Sequence, residues 1–201
     1  MFGYSNLVDP LLREVRIFLP RFSDSKEGNK ILDVCSATGD QVFYYARSGA
    51  DAFGIDLDPK MVEFAEKKKK ERGSDNVSFR VADARKLPFQ DSFFDLASIC
   101  LGLHQLDIRG IEETISEMKR VVKKEGFLIF TDYTFPSPGN FYSFLIKKVE
   151  FMAGKEHYQN FKDYLAEGGL SFLLKKNNLT EEKIHYFKKG NLTIIKAKNN
   201  K

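Results

Sequence analysis

Five short apolar runs, separated by segments of helical or turn character, constrain this 201-residue chain more than any other feature. They lie at about residues 30–35, 52–56, 77–82, 94–101 and 127–132. A strand that is apolar at consecutive positions must be covered on both faces, and helical crossovers supply that cover while holding the strands parallel. The chain is therefore expected to be an α/β protein with a parallel sheet between two helical layers. The punctuation sets the helices. One begins near Asp9 and Pro10, runs through Leu12, Val15, Phe18 and Leu19, and is expected to stop at Pro20. A second starts at Asp40 and closes at Gly49. A third is capped by Asp58 ahead of Pro59, with Met61, Val62, Phe64 and Ala65 facing inward and Lys67 to Lys70 solvated. A fourth spans about 110–122. Residues 133–178 are Pro/Gly-punctuated and mostly helical. Two further strand-like segments, 182–187 and 192–197, flank the turn Lys189-Gly190-Asn191 and must pair antiparallel. One domain over 1–201 is expected, with an N-terminal helical segment at 1–29 and a helical cap insertion at 133–178.

Composition removes several classes. With 42% hydrophobic residues and 19 Phe the chain is not disordered, and 14 Gly with 6 Pro exclude a low-complexity polymer. Cys35 and Cys100 are too few for a disulfide scaffold, and their place inside apolar runs suits a reducing cytoplasm. The apolar stretches are short, and Asp9, Arg13, Glu14 and Arg16 fall within the first twenty residues, so neither a membrane span nor a signal peptide is expected. Residues 1–132 carry a net charge of −2 and residues 133–201 a net +6. That bias suits an acidic substrate, a membrane surface, RNA or simply a solvated Lys-rich face.

Ligands of open α/β sheets bind beyond the carboxyl ends of the strands. After the first strand stands Asp33-Val-Cys-Ser-Ala-Thr-Gly-Asp40, a turn of small residues through which backbone N–H groups can approach a ligand. It holds one glycine, Gly39, and does not match GxGxxG, so an ordinary strand-to-helix turn accounts for it equally well. Asp56 ends the second strand about twenty residues on, where a carboxylate can accept hydrogen bonds from ribose hydroxyls. Asp83 and Ala84 follow the third strand, where they could meet an adenine edge or simply form a turn.

Taken together, these segments resemble the class I S-adenosylmethionine-dependent methyltransferases, over about residues 30–132. Residues 31–40 are similar to that family's LDVACGTGD block, and Gly54-Ile-Asp-Leu-Asp-Pro-Lys-Met61 to GIDLSPEML. Val81-Ala-Asp-Ala84, residues 87–95 (LPFQDSFFD) and residues 118–126 (MKRVVKKEG) are similar to its GDA, LPFPDNSFD and RVLKPGG blocks. The resemblance implies a Rossmann-like, mostly parallel seven-stranded sheet of order 3-2-1-4-5-7-6 with strand seven antiparallel. It implies S-adenosylmethionine as cofactor, with Asp33 and Ser36, Ala37, Thr38 and Gly39 around the methionine part, Asp56 on the ribose, Leu57 and Met61 flanking the adenine, Asp83 and Ala84 at its edge, and Leu101 in the same site. Where the family prefers glycines this chain has Ser36 and Ala37, and a positive φ at Ala37 would strain the turn.

The segment Leu101-Gly-Leu-His-Gln105 is similar to the FGLRN segment of the ubiquinone and menaquinone biosynthesis C-methyltransferases, and the Asn/Asp-Pro-Pro-aromatic motif of base methyltransferases is absent. A small-molecule acceptor, aromatic or quinone-like, is therefore expected. Nucleic acid is disfavoured, and peripheral membrane contact stays open. His104 is the candidate general base, with a structural or lining role as its alternative. Tyr4, His104, Phe141, Tyr142 and Tyr158 are the expected acceptor contacts, and no metal site is assigned. A cofactor-binding sensor without catalysis is the competing class.

Overall fold

The computed structural model describes residues 2–201, with side chains described from Leu12 onward; Tyr4 and its expected acceptor contact lie outside the described side chains. Seven strands form one sheet: β1 (Lys30–Val34), β2 (Asp51–Asp56), β3 (Val77–Val81), β4 (Phe94–Cys100), β5 (Val122–Tyr133), β6 (Thr180–Phe187) and β7 (Leu192–Lys198). Their order is β3-β2-β1-β4-β5-β7-β6, and β7 pairs antiparallel with both β5 and β6. The helices are α1 (Phe2–Phe22), α2 (Asp40–Ala46), α3 (Pro59–Arg72), α4 (Ile108–Val121), α5 (Phe141–Met152), α6 (Lys155–Ala166) and α7 (Gly169–Lys176). Because the order runs outward from β1 to β3 and then reverses to β4, right-handed crossovers place α2 and α3 on one face and α4 on the other.

Local chemistry fixes the ends of these elements. Asp58 accepts the Lys60 N–H at 2.9 Å and Asp107 the Gly110 N–H at 2.7 Å, so each carboxylate caps a helix; the second places the start of α4 ahead of the expected Gly110. Asn140 and Ser143 form a reciprocal capping box for α5. Four expectations are corrected. Pro20 does not end α1, which continues to Phe22: a proline ring blocks the turn before it, and the turn after it can still close, as the Ser23 N–H to Leu19 carbonyl bond does. Phe64 is exposed on α3, whereas Val62 and Ala65 are buried. Lys68 is not simply solvated, because it reaches Asp40 at 2.9 Å. The fifth strand begins at Val122, ahead of the expected Phe127, and a register irregularity against β4 separates the early residues from the regular pairing of Phe127 to Thr131. Both cysteines are free.

The core is the apolar filling of the sheet, with Ile31, Leu32, Ile55, Phe94, Ile99, Phe130, Ile194 and Ile195 at most 1% exposed. Fixing the sheet in this way fixes the carboxyl ends of β1, β2 and β4, from which the loops of the site leave. No described helix is long and apolar enough to cross a membrane.

Candidate active site

β1 pairs in parallel with β2 on one side and β4 on the other, so the strand order reverses beside it and a crevice opens beyond its carboxyl end. The loop that leaves β1 is tied down by backbone groups. The Ser36 N–H donates to the Ile55 carbonyl and the Gly39 N–H to the Ser36 carbonyl, both at 2.8 Å. Asp56 accepts the Ala37 N–H on Oδ2 at 2.8 Å and the Asp58 N–H on Oδ1 at 3.0 Å. Each oxygen spends one lone pair on the backbone and keeps capacity for a second donor. Gly39 has φ 77, and a Cβ there would lie 2.5 Å from the Phe79 ring, so glycine is required on both counts. Ala37 has φ 45, the strained alternative, which costs a non-glycine residue about 1–2 kcal/mol. The Ser36 hydroxyl is buried without a hydrogen-bond partner, while Thr38 turns its hydroxyl to Asp40 at 3.3 Å.

Asp33 is 3% exposed and accepts the Ser98 hydroxyl at 2.6 Å. Burial pushes its carboxyl up to about 7, against the opposing effects of the Ser98 hydrogen bond and the Arg16 charge. Arg16, on α1, also approaches Asp40 at 3.6 Å. Asp83 is engaged by its neighbour: the Arg85 guanidinium donates to both carboxylate oxygens at 2.7–3.1 Å and holds the group below the usual carboxylate range. Leu57 is 65% exposed beside the half-buried Met61, whereas Ala84 is buried. Leu101, with φ 52, is also buried, and its N–H donates to the Thr131 carbonyl at 2.8 Å. Thus β1, β2 and β4 bring Asp33, Ser36 to Gly39, Asp56 and Leu101 to the ends of adjacent strands, and β3 leads into Asp83 and Ala84.

His104 lies in a short 3-10 turn, Leu103–Gln105, after β4, and its ring has no exposed surface. Its Nδ1 is 2.7 Å from Asp132 Oδ1, and its Nε2 is 3.5 Å from Glu150 Oε2. The other Glu150 oxygen accepts the Tyr133 hydroxyl at 2.5 Å, and Oε2 also contacts His157 Nε2. Rings of Tyr133, Phe161 and Tyr164 pack around the imidazole at centroid distances of 4.7, 6.1 and 6.3 Å. Burial pulls the His104 pKa down, but Asp132 and Glu150 outweigh it and hold the ring at about 9. Burial likewise opposes the Glu150 charge, and the His104 and His157 imidazoles beside it overcome that opposition, leaving the carboxyl well below its ordinary range.

Of the described acceptor candidates, His104 and Tyr158 both pack on Phe161, and Phe141 and Tyr142 stand apart from them. Phe141 is 70% exposed and Tyr142 adjoins it at the start of α5, whereas Tyr158 packs on Phe151 and Phe161 near the helix's other end, roughly 15–18 Å along the axis. Sequence reasoning missed Ser98, Asp132 and Glu150. The available signal for Glu150 was a lone acid in the apolar α5, seven residues after the equally buried Ser143 and thus on the same helix face.

Comparison with known proteins agrees with this geometry. Residues 31–126 match the family described as "Methyltransferase domain". A demethylmenaquinone methyltransferase of Bacillus velezensis is 30% identical over 181 residues, covering 82% of this chain and 77% of that protein. A ubiquinone/menaquinone biosynthesis C-methyltransferase of Pseudomonas paraeruginosa is 34% identical over 124 residues, which span 60% of this chain and about half, 48%, of that relative's length. Among solved structures, a SAM-dependent methyltransferase from Aquifex aeolicus superposes with a TM-score of 0.74 at 19% identity, over 98% of this chain and 96% of that one, a likeness of fold.

Proposed function

The chain is a member of the S-adenosylmethionine-dependent methyltransferase family, and from that premise we propose that it methylates a small, flat, lipophilic acceptor of aromatic or quinone-like kind. The observation that carries the reading is the Asp56 carboxylate, which braces the β1 loop through the Ala37 N–H and retains lone pairs beyond the ends of β1 and β2. The fit of the cofactor is supported by the orphaned Ser36 hydroxyl, which lacks a partner that a polar ligand would supply, and by Gly39, where a side chain would collide with Phe79.

Bound S-adenosylmethionine supplies a methyl group on a sulfonium, open to in-line displacement by a nucleophilic atom. In this reading Asp56 accepts from the ribose hydroxyls. Ser36, Ala37, Thr38 and Gly39 line the methionine part, with Asp33 behind them holding a proton near neutrality and able to release it when a cation arrives. Leu57 and Met61 offer apolar flanks to the adenine, while Asp83, with Ala84 beside it, faces its edge. Transfer then rests on alignment and exclusion of water. His104 is not required as a base, since in this state it is sealed from solvent and held protonated by two carboxylates.

The lipophilic acceptor is supported by α5, which exposes Phe141, Phe144, Phe151 and Met152 at 64–76% alongside Lys147 and Lys148, and by the similarity to demethylmenaquinone and ubiquinone/menaquinone methyltransferases. Exposed aromatic surface with flanking cations suits an acceptor drawn from a lipid surface. The reading is tested by calorimetric titration of S-adenosylhomocysteine. Asp56→Ala is expected to weaken binding by about 1–3 kcal/mol, since it removes the acceptor of two hydroxyls and the brace on the loop. An unchanged Kd would remove Asp56 from the site. Turnover of quinols but not of hydrophilic phenols would support the acceptor class, and the reverse would refute it.

A further inference from the structure

We propose that His104, Glu150 and His157 form a site for one divalent transition-metal ion of the zinc class, joining the turn after β4 to helices α5 and α6. One ligand atom from each residue lies within 4.8 Å of the other two. Zinc bound to nitrogen and oxygen at about 2.0–2.1 Å in a tetrahedron requires ligand atoms roughly 3.3–3.5 Å apart. His104 Nε2 and Glu150 Oε2 are already at 3.5 Å. Two imidazoles and a carboxylate are borderline donors suited to zinc or cobalt, and they form a three-ligand set that leaves one position open.

The surroundings supply the outer contacts that such a site uses. Asp132 engages His104 Nδ1, which orients the ring and directs Nε2 toward Glu150. The Tyr133 hydroxyl holds Glu150 Oε1, leaving Oε2 as the atom that faces both imidazoles. An independent sign is that His104 Nε2 is fully buried and makes no hydrogen bond, although it points into the cluster. Without an ion, a single carboxylate oxygen must serve two ring nitrogens, and it meets one of them closely while the other stands off. A dication with neutral imidazoles would satisfy all three atoms at once and balance the two buried carboxylates, Asp132 and Glu150. His157, whose side chain is 19% exposed, provides the way in.

The chelator-stripped full chain, titrated with Co²⁺ alone, tests this. The expected result is saturation at one ion per chain with a visible d–d band of low-symmetry cobalt, displacement by Zn²⁺, and a raised Tm. His157→Gln, at the accessible rim, should weaken Co²⁺ binding by at least about 30-fold while leaving the Kd for S-adenosylhomocysteine within threefold. His185→Gln, on the far β6 strand, should alter neither. Absence of a saturable band in the unsubstituted chain overturns the proposal and leaves a network in which the two imidazoles contact Glu150 directly. A His157→Gln affinity equal to that of the unsubstituted chain overturns it as well. Cofactor affinity is measured separately, so loss of the metal site leaves the methyltransferase reading intact.

Discussion

The loops at the strand ends and the helices of residues 133–178 use carboxylates in opposite ways. At the strand ends, Asp58, Asp83 and Asp107 bond to backbone N–H groups two or three residues away, and Asp56 spans nineteen residues to Ala37. In the helical segment, Glu150 bonds to side chains, Tyr133 seventeen residues before it and His157 seven after; Asp132, at the end of β5, joins them by meeting the His104 ring across twenty-eight residues while also accepting the Tyr133 N–H. The apolar residues are inverted too. Phe141, Phe144, Phe151 and Met152 point outward, and Ser143 and Glu150 are the buried residues of α5. Carboxylates bonded to nearby backbone shape a loop and leave it open to a ligand, whereas carboxylates bonded to distant side chains weld elements together at the cost of desolvation.

The contrast is broken most severely at Glu150. Its replacement by Ala leaves His104, His157 and the Tyr133 hydroxyl without their shared partner, and a loss of about 3–5 kcal/mol in urea unfolding is expected; a loss below 1 kcal/mol would mean that the network is not a weld. Next is Asp33, which belongs to the strand ends yet is buried like the others. The folded chain holds its proton up to about 7, whereas the unfolded chain releases it near the ordinary Asp value of about 4. Between those values the native state binds more protons, so this group makes stability fall as pH rises through the window, by up to about 4 kcal/mol, with no further change outside it. Unfolding of the unsubstituted chain and Asp33→Asn, compared at pH 4 and 8, should show that difference; parallel curves would place the Asp33 proton elsewhere. A smaller effect is expected from Ala37→Gly, which relieves a positive φ at some entropic cost: a net gain of about 0.5–1 kcal/mol and tighter S-adenosylhomocysteine binding. Loss of stability there would show that the Ala37 methyl packs usefully. Smallest is Phe141→Ala, expected within about 0.5 kcal/mol of the parent in urea and unchanged in cofactor Kd, with reduced turnover of a lipophilic acceptor.

This contrast also explains what was legible in the sequence. The seven strands and the antiparallel last pair were readable because apolar runs, caps and tight turns are local signals, whereas the order of the sheet came from the family resemblance; Asp56 sits at a spacing the fold dictates. The sequence left the sign of φ at Ala37 open, with strain expected only if it were positive, and the structure places it at 45. The Asp132–His104–Glu150–His157 cluster was not legible as a unit. Its members come from a strand end, a 3-10 turn and two helices, and no periodicity links them. The sequence marks 133–178 as a helical cap insertion, but side-chain type does not say which face of a helix finds a partner. For α5 the polar face found Tyr133, His157 and Asn191.

The antiparallel insertion of β7 between β5 and β6 bears on the order of events during synthesis. β6 leaves the ribosome before the strand it pairs with, and the edge of β5 from Phe127 to Tyr133 waits for the same late segment. Until Leu192–Lys198 is made, the nascent chain carries two unpaired apolar or half-apolar edges, the configuration most open to pairing with another molecule. The last interior strand is therefore a kinetic gate: its arrival covers both edges in one step, and Asn199 then locks the seam by donating its side-chain N–H groups to the carbonyls of Lys119, Val122 and Lys123.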